Sequence, residues 1–86
     1  MDAMLLQVIA GAIRSVSKRT QTMAITEESL LVEDLALDSL DIVGVLMKLE
    51  DHFQLKIELD DVPNIRTVGD LAGHMEKLLG GRSAAA

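Results

Sequence analysis

The chain of 86 residues has no cysteine. That removes disulfide frames and every Cys-based metal site, and it fits a reducing compartment. Aromatic side chains are nearly absent: Phe53 stands alone, with no Trp and no Tyr. Stacking platforms for bases are therefore missing, as is any basic stripe. With a net charge of −6, a nucleic-acid partner is not expected. No apolar run approaches the roughly 20 residues of a membrane-spanning helix. The opening Met1-Asp2-Ala3-Met4-Leu5-Leu6 lacks a cationic leader segment, and Gln7, Gly11 and Arg14 break the run that follows, so it does not read as a targeting signal. The expectation is a cytoplasmic monomer with no membrane insertion.

What is present is apolar and acidic. Hydrophobic residues make up 49% of the chain, enough for a packed domain. The length sets one domain with a modest core. The charge is unevenly spread. Residues 1–26 hold three basic and one acidic side chain, residues 27–61 two basic and eleven acidic, and residues 62–86 three basic and two acidic. Such a central field attracts basic protein surfaces. It equally serves to keep a small protein dissolved.

Periodicity predicts helices. Leu5, Val8, Ile9, Ala12, Ile13 and Val16 share one helical face, with Lys18 and Arg19 suited to its negative end. Residues 21–38 form a long connection. Its anchors Ile25, Leu30, Leu31, Leu35 and Leu37 predict that it folds back over the core. A second helix begins at Leu40. Ile42, Leu46, Leu49 and Phe53 make one stripe, and Leu40, Val43 and Met47 a neighbouring one. Gly44 interrupts this helix at a cost of about 1 kcal/mol against alanine, which points to close approach of a partner or a neighbouring element. Leu55 and Ile57 alternate with Lys56 and Glu58, but without a partner strand the segment reads as an extended loop.

Asp60-Asp61-Val62-Pro63 suits a short helix with proline in its first turn. Thr67-Val68-Gly69-Asp70 resembles a capping box. Val68, Leu71, Ala72, Met75, Leu78 and Leu79 give the last helix its face, and Gly80-Gly81 is expected to stop it. The predicted fold is all-α: a four-helix bundle with a long first loop and a short third helix. Residues 81–86 are expected to form a flexible tail.

Ser39 is the candidate functional residue, in Leu35-Ala36-Leu37-Asp38-Ser39-Leu40-Asp41. A serine at a helix start is ordinarily a cap. Here it also follows a long displaying loop, sits between Asp38 and Asp41, and precedes a wide apolar face. Elsewhere, His52 and His74 lack metal-ligand spacing. Glu27-Glu28 and Glu33-Asp34 read as solvated loop charges. No metal site and no catalytic residue is expected.

Asp38-Ser39-Leu40, preceded by Val32-Glu33-Asp34-Leu35, resembles the acyl carrier protein family. The resemblance continues through Leu40 to Phe53, the loop at Ile57 and Ile65-Arg66-Thr67-Val68, nearly the whole chain. It implies a free-standing carrier domain over residues 1–80 that is not an enzyme. In that family a phosphopantetheinyl transferase moves 4′-phosphopantetheine from coenzyme A onto the motif serine, which corresponds to Ser39. The arm's thiol then holds acyl intermediates as thioesters for ketosynthase-, acyltransferase- and acyl-loading-type enzymes with basic surfaces. The chain has no thiol of its own, so a borrowed one makes chemical sense.

The resemblance further implies a partner surface of Asp38, Leu40, Asp41, Val43, Met47, Glu50, Asp51 and Asp60. For Asp38, backbone capping is the competing role. It also implies an acyl cavity lined by Val43, Leu46, Leu49, Ile57, Val62, Ile65 and Leu71, against the alternative of a plain packed core. The resemblance implies service in fatty-acid, polyketide or modified-lipid synthesis. Gly44 and Lys56 fall where fatty-acid carriers are commonly acidic, which argues against a standard fatty-acid synthase set and points to a specialised carrier with its own enzymes, in polyketide or modified-lipid synthesis. Two other readings compete. A peptidyl or aminoacyl carrier usually has a glycine pair before the serine, where this chain has Ala36-Leu37. An unmodified helical adaptor would carry no arm.

Overall fold

The structure, a computed structural model, describes residues 3–85, with the side chains of residues 59, 61 and 81–85 left out. Three α-helices form the frame: α1 (Ala3–Val16), α2 (Ser39–Phe53) and α3 (Val68–Ala85). Two 3₁₀ helices, Lys18–Thr22 and Leu59–Asn64, lie in the connections. The all-α expectation holds, and no strand occurs among the described residues. The four-helix count needs correcting, because the short third helix is a 3₁₀ segment. Pro63 lies inside it and cannot donate to an α-helical ladder. Ile65 N instead closes on the Val62 carbonyl at 2.9 Å.

The apolar faces meet as the periodicity predicts. Ile9 and Ile13 of α1, Leu49 of α2, and Val68, Leu71 and Met75 of α3 are fully buried. α1 and α2 run in opposite directions: Val16 meets Gly44, whereas Leu5 and Val8 share a recess with Phe53. Gly44 is thus explained by a neighbour and not by a partner. A Cβ there would sit 3.4 Å from a Val16 methyl, at the inner edge of ordinary contact.

The long connection does fold back, and backbone hydrogen bonds stitch it to the start of α3. Leu31 N donates to the Arg66 carbonyl at 2.9 Å, Val68 N to Ser29 O at 2.9 Å, and Gly69 N to Glu27 O at 2.7 Å. Val68 and Gly69 are first-turn residues whose amides have no partner within the helix, so the loop supplies what the helix lacks. Leu31, Leu35 and Leu37 are buried beneath this seam. The turn closes through Asp34 N and Leu35 N to Leu30 O and Leu37 N to Leu31 O, each at 3.0 Å. Ala36 reverses the chain at φ 55°, a left-handed conformation that costs an alanine about 1–2 kcal/mol.

The predicted capping box at α3 is present. Thr67 Oγ1 accepts from Asp70 N at 2.9 Å. Asp70 Oδ2 accepts from Thr67 N at 3.1 Å and Arg66 N at 3.0 Å. These backbone donors stabilise the ionised carboxylate and hold the Asp70 carboxyl below its ordinary value of 3.8. At the other end, α3 does not stop at Gly80-Gly81 but runs on to Ala85, replacing most of the expected tail; Ala86 lies outside the described residues. A glycine ends a helix by turning left-handed, and no glycine among the described residues has positive φ.

Two outcomes follow from the seam. A Cβ at Gly69 would lie 2.9 Å from the Glu27 carbonyl oxygen, a backbone atom that cannot rotate away. Gly69→Ala is expected to destabilise by about 1–3 kcal/mol in urea unfolding; a change below about 0.5 kcal/mol would show that the seam yields freely. Because the Asp70 carboxyl is held low, the unfolded chain takes up its proton at higher pH than the folded one. Its contribution is complete above the ordinary value and drains as pH falls through the folded one. Asp70→Asn should flatten the stability profile in that acid window, and an unchanged acid limb would contradict this.

Candidate functional site

Ser39 is the first residue of α2, and Asp38 is its cap. Asp38 Oδ1 accepts from Asp41 N at 2.8 Å, and Asp41 Oδ2 accepts from Asp38 N at 3.1 Å. This reciprocal pair performs the capping that serine ordinarily provides. The Ser39 side chain is exposed and has no hydrogen bond to any described residue. Its hydroxyl stands at the positive end of the α2 dipole, beside first-turn amides that lack intrahelical partners.

An apolar stripe leads away from it. Leu40 is 82% exposed, Val43 39% and Met47 62%, at i, i+3 and i+7 on one helical face. Acidic groups flank the stripe unequally. Asp38, Asp51 and Asp60 are exposed, while Asp41 and Glu50 are half-buried. Asp60 lies apart from the others, in the 3₁₀ helix after α2. Glu50 has an internal task as well: its Oε2 accepts from Ile57 N at 2.8 Å and ties down the loop that follows α2.

On the opposite face of α2 lies a wholly aliphatic cleft of about 10 Å³, lined by Leu31, Leu37, Ile42, Val45, Leu46, Val62, Ile65 and Leu71. That is room for about one water, so a chain enters only if these side chains part. Four residues expected at a cavity are here: Leu46, Val62, Ile65 and Leu71. Leu49 and Ile57 are buried in the core but lie outside the cleft. Val43 is a correction, since it points outward. At 3.6 residues per turn, Ile42, Val45, Leu46 and Leu49 share the inward face, and Val43 falls with Leu40 and Met47.

Val45 belonged to neither stripe read from the sequence. Leu31, Leu37 and Ile42 were legible as apolar anchors, but not as cleft lining. Among the described residues no three His, Cys, Asp or Glu groups could hold a metal ion, and no helix is long and apolar enough to cross a membrane. His52 packs edge-on against Phe53, with ring centroids 4.7 Å apart.

Fold and site define a small helical domain that displays a free hydroxyl at a capped helix start. Comparison with known proteins gives the same direction. The family described as phosphopantetheine attachment site matches residues 7–75. An acyl carrier protein from Thermotoga maritima is 45% identical over 56 residues, 65% of this chain and 69% of that protein. A meromycolate extension acyl carrier protein from Mycobacterium tuberculosis is 35% identical over 74 residues, 84% of this chain. The match spans 64% of that longer relative. A solved chain from Mycobacterium tuberculosis, provisionally described as an acyl carrier protein, superposes with a TM-score of 0.70 at 34% identity, covering 78% of this chain and 88% of that one.

The chain belongs to the acyl carrier protein family. Its members are carriers, not enzymes, and their prosthetic group is covalently attached 4′-phosphopantetheine. They work with phosphopantetheinyl transferases and acyl-handling enzymes.

The cap makes its own testable statement. Asp38→Ala removes the acceptor for Asp41 N, and loss of such a cap costs about 0.5–2 kcal/mol. Chemical denaturation should register that loss, whereas Ser39→Ala should stay within about 0.5 kcal/mol. The reverse order would identify Ser39 as the cap.

Proposed function

We propose that Ser39 bears the 4′-phosphopantetheine arm and that the protein thereby presents acyl groups, as thioesters, to successive enzymes. One observation carries this reading: Asp38 and Asp41 cap α2 between them, so the Ser39 hydroxyl remains exposed and uncommitted. In the attachment, the Ser39 Oγ–P bond forms and the pyrophosphate P–O bond of coenzyme A breaks. Adenosine 3′,5′-bisphosphate leaves, and the hydroxyl proton passes to a base on the transferase. Asp38 and Asp41 are occupied with backbone amides and are not assigned that task. The resulting phosphodiester anion suits the first-turn amides and the α2 dipole. Repulsion from exposed Asp38 is weakened by solvent.

The arm supplies a thiol, and the chain's own residues do the rest. Leu40, Val43 and Met47 form the apolar centre of a docking face. Asp38, Asp41, Glu50, Asp51 and Asp60 give it the negative charge that basic enzyme surfaces recognise. Single exposed pairs contribute about 0–1 kcal/mol, so recognition is cumulative and salt-sensitive. The aliphatic cleft behind α2 shelters the acyl chain when Leu46, Val62, Ile65 and Leu71 separate. The mycobacterial relatives are named for meromycolate extension, which favours fatty-acyl elongation over polyketide synthesis. Cytoplasmic operation as a monomer is part of the same reading.

Intact-mass analysis tests it. Incubation with coenzyme A and a promiscuous phosphopantetheinyl transferase should add one arm to the wild-type chain and none to Ser39→Ala. Full modification of the variant would move the site to Ser15, Ser17, Ser29 or Ser83 and overturn the reading.

A further inference from the structure

The docking face carries one cation among its acids. At the C-terminal end of α2 a shallow recess is lined by Met47, Glu50, Asp51, Gln54, Leu55 and Lys56. Met47 belongs both to this recess and to the exposed apolar stripe, so the two surfaces are continuous. Lys56 is its cation. The side chain is exposed and forms no ion pair among the described residues, although Glu50 and Asp51 line the same recess. Glu50 is already engaged by Ile57 N.

The backbone that carries Lys56 is held on both sides. Gln54 turns left-handed at φ 53°, and Leu55 N donates to the Glu50 carbonyl at 3.2 Å. Ile57 is 4% exposed and tethered through its amide. With Leu55 half-buried and Ile57 buried, the alternation directs Lys56 outward. Ser39 and Glu50 are eleven residues apart on one helix, about 16 Å along its axis at 1.5 Å per residue. The residue that carries the ammonium is therefore held in place just beyond the end of α2 opposite to Ser39.

We propose that Lys56 is a specificity-determining residue. It selects acyl-handling enzymes that place a carboxylate against the Lys56 ammonium while placing cations around Ser39 and beside Glu50 and Asp51, and it disfavours enzymes whose docking patch is cationic throughout. Like charges brought together on docking penalise the wrong partner, and an opposite charge favours the right one. The proposal rests on the reading of Ser39 and α2 given above.

The test uses the pantetheine-bearing protein and a bacterial malonyl transferase chosen for an all-lysine-and-arginine docking patch. Intact mass first establishes that wild type, Lys56→Glu (K56E) and Lys77→Glu (K77E) each carry one arm. Failure at that stage would remove the Ser39 reading and is distinct from failure of the inference about Lys56. Lys77 is an exposed cation on α3, in a different recess, and controls for net charge.

K56E should raise kcat/KM for malonyl loading three- to fivefold at low salt, with the gain lost at high salt, and K77E should leave it unchanged. The patch cations of the transferase are then replaced by glutamate one at a time. One replacement should invert the preference, so that wild type is loaded faster than K56E. Equal rates for wild type and K56E, or an equal gain with K77E, would overturn Lys56 as a determinant. Absence of any inversion would overturn the carboxylate partner.

Discussion

The site depends on a seam of backbone hydrogen bonds between the long first connection and the start of α3. The amides of Leu31, Val68 and Gly69 and the carbonyls of Arg66, Ser29 and Glu27 pair across it. Ordering a connection this long is entropically costly. The burial of Leu31, Leu35 and Leu37 offsets that cost, and the first-turn amides of α3 gain acceptors they would otherwise lack. The seam also fixes where the connection ends. From Leu37 the chain enters Asp38 and α2, so the direction in which Ser39 is displayed is inherited from contacts made at residues 27–31 and 66–69.

Both helix starts that flank this seam use an acid to satisfy backbone amides, with different consequences. At α3 the hydroxyl of Thr67 takes part and is consumed. At α2 the two aspartates close on each other and the hydroxyl is released. The attachment proposed for Ser39 suits the second arrangement, in which the helix is terminated firmly and the hydroxyl oxygen is not part of the termination. The acidic residues of α2 therefore serve twice. Asp38, Asp41 and Glu50 organise backbone at the two ends of the helix, and the charge that remains outside is the charge proposed to meet partners. A substitution that probes recognition at these positions also disturbs the frame, whereas Asp51 and Lys56 have no such side-chain bond.

Much of this was legible in the sequence. The faces of α1 and α3, the fold-back of the leucine-anchored connection and the Thr67–Asp70 box all follow from spacing. The identity of the α2 cap was not. Asp38 and Ser39 are equally good capping types one residue apart, and only backbone geometry decides between them. The stripe of Val43 with Leu40 and Met47 was legible, but its second assignment to the acyl cavity and the omission of Val45 have a related cause. On a helix with two adjoining apolar stripes, composition does not say which stripe faces the core. The continuation of α3 past Gly80 reflects a local backbone energy of about 1 kcal/mol, too small to read from the sequence, whereas the 3₁₀ form of Leu59–Asn64 traces to Pro63, which was legible but assigned to the first turn of a helix. Gly44 was legible as a close approach, but not as one to Val16.

Native-state amide hydrogen exchange shows whether the serine-bearing turn and the seam are one cooperative unit. The amides to follow are Leu31, Val68 and Gly69 in the seam, and Leu37 and Ile42 at the approach to Ser39. All five are expected to exchange through a common opening, with the same free energy and the same dependence on denaturant. If Leu37 and Ile42 exchange through a small local opening while Leu31, Val68 and Gly69 remain protected to a higher free energy, the site is held independently of the seam, and the dependence of one on the other is refuted.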